Sequence, residues 1–166
     1  MKSENLTLNK NGKFEINFTL NGKEISAQVK PKETLLEALR ALGYKGTKKG
    51  CDTGDCGSCA VIFNGKPKVS CLMPAFAAHK AEIITIEGIG SVSKPHPIQE
   101  AFVEAGAVQC GYCIPGMIIS TKALLDKNPN PSEEEIKHSL DGNLCRCTGY
   151  VKQIEAVKLA AKKLAK

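Results

Sequence analysis

Eight cysteines limit what this chain can fold into, because they form two groups of four along the sequence. The first group has the spacing C-x4-C-x2-C and a later fourth member: Cys51, Cys56, Cys59 and Cys71. The second group is a C-x2-C pair and, after a long gap, a C-x-C pair: Cys110, Cys113, Cys145 and Cys147. The first spacing is typical of a [2Fe-2S] cluster held by four thiolates. The sequence therefore predicts eight thiolate ligands, two clusters and a role in electron transfer.

Two other uses of eight cysteines compete with this interpretation. Disulfides stabilise short secreted chains, whereas a chain of 166 residues can bury a core without them. Met1 to Lys10 also lacks the apolar run of an export signal, which predicts a cytoplasmic protein. Structural zinc is the stronger rival, because paired C-x2-C knuckles form closed tetrahedral sites. The C-x4-C-x2-C loop instead offers three sulfurs from one glycine-rich segment, which favours iron-sulfur clusters.

The charge and hydropathy of the chain argue against two further classes of function. The formal net charge is +6 with the cysteines counted as neutral, but two clusters with four thiolates each lower it to about +2. We therefore expect no nucleic-acid partner. No apolar run approaches the length of a membrane span, so we expect no membrane insertion. The C-terminal lysines are interpreted as a solvated helix face: Lys158, Lys162, Lys163 and Lys166.

Alternating apolar residues predict a β-hairpin near the start of the chain. Residues 14–20 and 25–29 alternate polar and apolar side chains, and Asn21-Gly22 between them is typical of a type I′ turn. A two-residue turn pairs Phe18 with Ile25, which leaves one face of the hairpin apolar.

A helix and a further strand are predicted to complete this half. The segment from Thr34 to Leu42 has helical spacing, with Thr34 as N-cap and Gly43 as the stop, and it can cover the apolar face. A closing strand is predicted for three isoleucines: Ile83, Ile84 and Ile86.

The first cysteine group lies in a loop whose glycines have a physical purpose. Gly50, Gly54 and Gly57 allow the backbone to approach a cluster and to point N–H groups at its negative charge. A second Asn-Gly pair at residues 64–65 predicts another hairpin. That hairpin sets Cys59 opposite Ser70, so the fourth cysteine returns to the third.

The second half of the chain is predicted to be helical, beyond a Gly- and Pro-rich connection at residues 88–97. Four helices are expected: Pro97 to Ala105, Pro115 to Lys127, Glu133 to Asp141 after a capping box of Ser132 and Glu135, and Val151 to Leu164. The last helix has a predicted buried stripe: Ile154, Val157, Ala161 and Leu164. Both late cysteine pairs precede a helix, so two helix N-termini are expected to face one anionic cluster.

Three motifs extend these patterns: G-C-D-T-G with C-G-S-C at 50–59, Q-C-G-Y-C with P-G-M at 109–117, and N-L-C-R-C-T-G-Y at 143–150. In this order they resemble the small iron-sulfur subunit of the molybdenum hydroxylases, the xanthine dehydrogenase family. The resemblance implies an α+β fold with an N-terminal β-grasp, ferredoxin-like domain over residues 1–88. It also implies a C-terminal four-helix [2Fe-2S]-binding domain over residues 89–166. Residues that differ from many family members lie at non-ligand positions: Asp55, Ser58 and Ile114.

The resemblance also implies partners and residue roles. A large partner subunit would carry molybdopterin and oxidise a purine such as xanthine, another N-heterocycle or an aldehyde, and a medium subunit would carry FAD. Gln109 matches a glutamine that hydrogen-bonds the pterin, and Cys147 matches a cluster ligand whose surroundings also touch it. The C-terminal cluster would receive electrons first and pass them through the N-terminal cluster to FAD or another acceptor. This chain would then have no catalytic residue.

Two other functions remain open at this point, a free two-cluster ferredoxin and a zinc-stabilised interaction module. Gln109 and the C-R-C-T-G-Y motif favour the enzyme subunit, because a free carrier has no pterin to contact. The three histidines lie outside the cysteine groups, and His96, beside Pro97, is interpreted as a helix-capping or loop residue.

Overall fold

A computed structural model describes residues 6–165, so the first five residues and Lys166 of the predicted lysine face lie outside the described residues. The structure is mixed α+β. Its strands and helices are β1 (Phe14–Leu20), β2 (Lys23–Val29), α1 (Leu35–Ala41), β3 (Ala60–Phe63), β4 (Lys66–Val69), β5 (Glu82–Ile84), α2 (Ile86–Ile89), α3 (Pro97–Glu104), α4 (Ile114–Lys127), α5 (Glu133–Leu140) and α6 (Val151–Leu164). Within residues 6–165, no helix is both long and apolar enough to cross a membrane.

The sheet has the strand order β2-β1-β5-β3-β4. The first hairpin is confirmed, because β1 pairs with β2 in the predicted register, with Phe18 opposite Ile25. Asn21 and Gly22 have φ values of 52° and 76°, the left-handed conformation that a type I′ turn requires. β5 runs parallel to β1 and antiparallel to β3, which places it in the centre of the sheet.

The predicted closing strand is wrong at one position. Ile83 and Ile84 lie in β5, whereas Ile86 begins α2. The chain leaves the sheet at Thr85, whose backbone N–H donates to Asn21 Oδ1 at 2.8 Å. Asn21 already belongs to the turn after β1, so β1 offers no further strand residue with which Ile86 could pair.

Helix α1 covers the apolar face of the first hairpin, as predicted. Thr34 caps it through a reciprocal capping box with Glu37, and Leu42 forms the C-cap before Gly43, whose φ is +97°. The buried residues that pack here come from the sheet, α1 and the connection after β4: Ile16, Phe18, Leu20, Val29, Leu35, Ala38, Leu39, Val61, Ala75, Ala78, Ala81 and Ile83.

A second buried core lies between the sheet and the helices α3 to α6. Alternate residues of β3 face the two cores, since Val61 packs with α1 whereas Ala60 and Ile62 pack with the core that contains Met117 of α4. This is the period-two alternation of a strand buried on both faces. Packing across β3 therefore fixes the helices relative to the sheet.

The predicted helices are present, and their caps explain where they start. His96 caps α3 by accepting from Ile98 N–H at 3.2 Å. Ser132 forms the predicted capping box with Glu135 before α5.

Helix α6 spans the predicted residues, but its predicted buried stripe is wrong in part. Val157 is buried, Ile154 and Ala161 are partly buried, and Leu164 is 44% exposed. The side chains that the helix buries fully lie on a face turned towards α3 and the second core: Gln153, Ala156, Val157 and Ala160.

Candidate metal centres

The first cysteine group lies between α1 and the end of the second hairpin. Cys51, Cys56 and Cys59 belong to the loop before β3, and Cys71 lies in a short 3-10 helix at Ser70–Leu72. Ser70 donates to Cys59 O through its backbone N–H at 3.3 Å and through its hydroxyl at 2.7 Å. Burial and a hydrogen bond with the Cys59 thiol raise the pKa of Cys71 to about 11. The predicted return of the fourth cysteine to the third is therefore confirmed.

The loop before β3 brings hydrogen-bond donors and a second thiol close to Cys51. Thr53 N–H donates to Cys51 Sγ at 3.4 Å. Hydrogen bonds from Thr53 and Cys56 lower the pKa of Cys51 to about 6. A Cβ built on Gly50 would lie only 2.7 Å from Cys56 Sγ, so a larger residue would displace that sulfur. Donors that converge on sulfur suit a negatively charged cluster.

The second cysteine group joins the N-termini of α4 and α6. Cys113 is the N-cap of α4, while Cys145 and Cys147 lie just before α6. Burial and a hydrogen bond with the Cys145 thiol raise the pKa of Cys113 to about 12. A hydrogen bond with the Cys110 thiol likewise raises the pKa of Cys147.

The thiols of both groups thus meet in pairs. The interacting pairs are Cys51 with Cys56, Cys59 with Cys71, Cys110 with Cys147 and Cys113 with Cys145. A [2Fe-2S] cluster takes two thiolates on each of its two irons, so the donor set of each group fits one cluster. All eight cysteines are free, and in residues 6–165 no three His, Cys, Asp or Glu side chains converge as ligands of a single metal ion.

Contacts between the two groups were not predicted from the sequence. Leu144 N–H donates to Cys56 O at 3.0 Å, which joins the residue before Cys145 to a cysteine of the first group. Tyr112 donates its hydroxyl proton to Lys49 O at 2.6 Å. Both contacts connect segments far apart in the sequence, and no local pattern indicates them.

Close backbone approach explains two glycines at this junction. A Cβ on Gly116 of α4 would lie 2.3 Å from Gly57 O, and a Cβ on Gly57 would lie 2.1 Å from Gly142 O. Asn143 lies beside both glycines and donates from Nδ2 to Ser120 Oγ at 2.8 Å. The absence of a side chain at Gly57 therefore lets the α5–α6 connection pack against the cluster loop. This is in addition to the role predicted for Gly57 within that loop.

One edge of the second group is open to solvent. Gln109, Cys110 and Cys147 are exposed, whereas Cys113 is buried. Exposed apolar side chains lie in the same segments: Val108, Leu144 and Val151. The residues that the resemblance links to a pterin thus lie in segments that a partner can reach.

Polar residues around Cys145 were also missed by the sequence analysis. Tyr150, in the left-handed conformation with φ of 71°, accepts a hydrogen bond from Cys145 N–H at 2.7 Å. Although burial raises the pKa of Cys145, hydrogen bonds from Thr148 and from the backbone lower it to about 7. Gln153 also reaches this sulfur. Thr148 and Tyr150 lie in the C-R-C-T-G-Y motif, whereas Gln153 lies outside the three motifs, at helical spacing from Val157 and Ala160.

Known proteins match both halves of the chain. Residues 18–82 match the family model of a 2Fe-2S iron-sulfur cluster binding domain, and residues 85–158 match that of a [2Fe-2S] binding domain. The chain is 51% identical to the nicotinate dehydrogenase small FeS subunit of Eubacterium barkeri, over 92% of this chain and 98% of that subunit. It is 45% identical to a nicotinate dehydrogenase subunit of Pseudomonas putida, over 88% of this chain and 94% of that one.

A solved structure agrees with these matches. The crystal structure of quinoline 2-oxidoreductase from Pseudomonas putida 86 superposes with a TM-score of 0.89 at 39% identity, covering 93% of this chain and 97% of that one. Two [2Fe-2S] domains define an electron-transfer protein. The chain belongs to the small iron-sulfur subunits of the molybdenum hydroxylases, the xanthine dehydrogenase family. It therefore carries electrons within a multisubunit oxidoreductase.

The junction between the cysteine groups yields a testable prediction. Gly116→Ala places a Cβ against the Gly57 carbonyl, so α4 and the first cysteine loop must separate. We expect the free energy of unfolding to fall by about 1 to 3 kcal/mol and the magnetic resonance signals of both clusters to change. Thermal unfolding and electron paramagnetic resonance measure the two effects.

Gly142→Ala is the matched control, because a Cβ there has no atom within 4 Å. We expect this variant to keep both the stability and the spectra of the unmodified protein. Equal behaviour of the two variants would contradict the importance of the close approach.

Proposed function

We propose that this chain carries electrons from the molybdopterin site of a large partner subunit to FAD in a medium subunit or to another acceptor. One cluster is assigned to Cys51, Cys56, Cys59 and Cys71, and the other to Cys110, Cys113, Cys145 and Cys147. The pairwise contacts of the eight thiols are the observation that carries this assignment. Each cluster, when bound, accepts and releases one electron.

A finer division of the fold belongs to the same proposal. A β-grasp, ferredoxin-like domain over residues 1–88 would hold the first cluster, and a four-helix domain over residues 89–166 the second. The sheet order and the helix α1 support the first assignment, and the helices α3 to α6 support the second. The proposed boundary between residues 88 and 89 falls inside α2, and the exposed residues 91–95 that follow this helix support a connection close to it.

The order of electron flow follows from which cluster meets the large subunit. Gln109 would hydrogen-bond the pterin, and the surroundings of Cys147 would touch it. Their exposure, together with exposed Val108 and Val151 in the same segments, supports a partner on this side. The C-terminal cluster would then receive electrons first, and the hydrogen bond from Leu144 to the first cysteine group supports their transfer to the N-terminal cluster.

The relatives also suggest the class of substrate. The two similar subunits belong to nicotinate dehydrogenases, and the matched structure is a quinoline 2-oxidoreductase. We therefore propose that the large subunit oxidises an aromatic N-heterocycle. The residues of this chain take no part in substrate choice.

Metal content tests the cluster assignment directly. We expect the native protein, purified without oxygen, to be red-brown and to contain about four irons and about four acid-labile sulfides per chain. Iron, zinc and sulfide analysis with visible absorption measures this. Stoichiometric zinc in a colourless protein would overturn the assignment.

Ligand substitutions test how the cysteines are divided. Cys56→Ser should remove the resonances of one reduced cluster, and Cys113→Ser should remove those of the other, because a serine oxygen is a poor replacement for a thiolate ligand of iron. Electron paramagnetic resonance of the reduced protein distinguishes the two sets. Loss of both clusters in either variant, with the fold retained, would show that the division is wrong.

The role of Gln109 is testable in the assembled enzyme. Gln109→Ala leaves a polar group of the pterin without its partner, at a cost of about 1 to 3 kcal/mol. We expect slower reduction of the clusters by substrate, or weaker retention of the pterin, with both clusters still assembled. Rapid-freeze magnetic resonance after substrate addition measures the reduction rate.

Gln28→Ala, at an exposed position of β2, is the matched control and should reduce at the normal rate. A Gln109→Ala enzyme that reduces as fast as this control and retains its pterin would remove the proposed contact.

A further inference from the structure

Gln153 is a polar side chain on the buried face of α6. It is 0% exposed and lies on the same helix face as Ala156, Val157 and Ala160. Burying an amide costs free energy unless hydrogen bonds replace those it made with water. Among the described residues, no donor reaches its Oε1. Any stabilisation that favours glutamine at this position must therefore come from hydrogen bonds of the amide nitrogen, Nε2.

The amide nitrogen of Gln153 points to the second cysteine group. Nε2 lies 3.7 Å from Cys145 Sγ and donates a hydrogen bond to Thr148 Oγ1. The Thr148 hydroxyl lies 3.2 Å from the same sulfur. Because the Thr148 oxygen accepts from Gln153, its own proton is free to donate to Cys145. Gln153 thus directs two donors, its own and that of Thr148, at one sulfur.

Hydrogen bonds to a ligand sulfur affect the two redox states of a cluster unequally. Reduction adds one electron, and the added negative charge strengthens each hydrogen bond that points at the cluster. Donors to the sulfurs are among the factors that set the potentials of iron-sulfur clusters. Removing such a donor therefore disfavours the reduced state and lowers the potential.

We propose that Gln153 sets the reduction potential of the C-terminal cluster by placing two hydrogen-bond donors on Cys145. The inference rests on the proposed function, in which Cys145 is a cluster ligand. Gln153 is a positioning and tuning residue, since it holds Thr148 and polarises the sulfur without ligating iron. Tyr150 has a separate part, because its hydroxyl accepts from the Cys145 backbone and does not act on the sulfur.

The test is a redox titration of both clusters in the full-length protein within its native complex. Gln153→Leu and Gln153→Met keep a large side chain and remove both amide hydrogens. We expect each to shift the midpoint potential of the C-terminal cluster to a more negative value and to leave that of the N-terminal cluster unchanged. Electron paramagnetic resonance resolves the two clusters, and iron and sulfide analysis checks that both remain.

Val157→Ala is the matched control, because it loosens packing on the same buried face of α6 without removing a donor to the sulfur. We expect no shift in that variant. Thr148→Val should shift the potential in the same direction as Gln153→Leu. The double variant should shift it by less than the sum of the two, because Gln153 acts partly through Thr148.

The outcomes separate this inference from the proposed function. An unmodified protein with iron for only one cluster would overturn the proposed function. Two intact clusters with an unmoved C-terminal potential, or with equal shifts of both, would overturn the tuning role. Loss of the C-terminal cluster in both apolar variants would also overturn it, because Gln153 would then serve to hold the site together.

Discussion

The backbone contact between the two cysteine groups holds this structure in its functional arrangement. Gly57, Gly116 and Gly142 come together so closely that no side chain fits between the first two and their neighbours, and Leu144 N–H closes the junction on Cys56 O at 3.0 Å. Two loops that are distant in sequence are thereby held at a fixed separation. An electron carrier with two clusters needs this fixed separation, because the clusters must stay close enough for an electron to pass between them.

Electrostatics act differently on the individual thiols. Burial raises the pKa of Cys71 and Cys113, so these groups resist ionisation in the protein alone. A cluster ligand must nevertheless be a thiolate. If these cysteines ligate the clusters as proposed, the positive charge of iron would compensate for the burial, and the helix N-termini after Cys113 and Cys147 would favour negative charge at the second site. Cluster assembly would then be coupled to the release of protons.

Local signals in the sequence predicted the elements that depend on neighbouring residues. The two Asn-Gly turns, the caps at Thr34 and Ser132, and the return of Cys71 to Cys59 all follow from residues close together along the chain. Features that depend on packing between distant segments were missed or wrong. The chain leaves the sheet before Ile86 because Asn21 binds Thr85, and the buried face of α6 is set by its packing on α3 and the second core.

The site shows the same limit. The thiols that interact belong to the same cysteine groups that the spacing defined, but the contacts of Gln153 and Asn143 could not be read from neighbouring residues. A glutamine at helical spacing is typical of an exposed face. Its contact with sulfur exists only because α6 turns that face inward.

Strand β3 has a consequence for how the molecule divides. Val61 belongs to the core beside α1, whereas Ala60 and Ile62 belong to the core beside α4. The chain passes from the sheet to the helices near residue 89, whereas the two hydrophobic cores meet along β3. A fragment cut at that connection would carry bare apolar side chains on an open face of its sheet. The two proposed domains therefore share an apolar interface along β3.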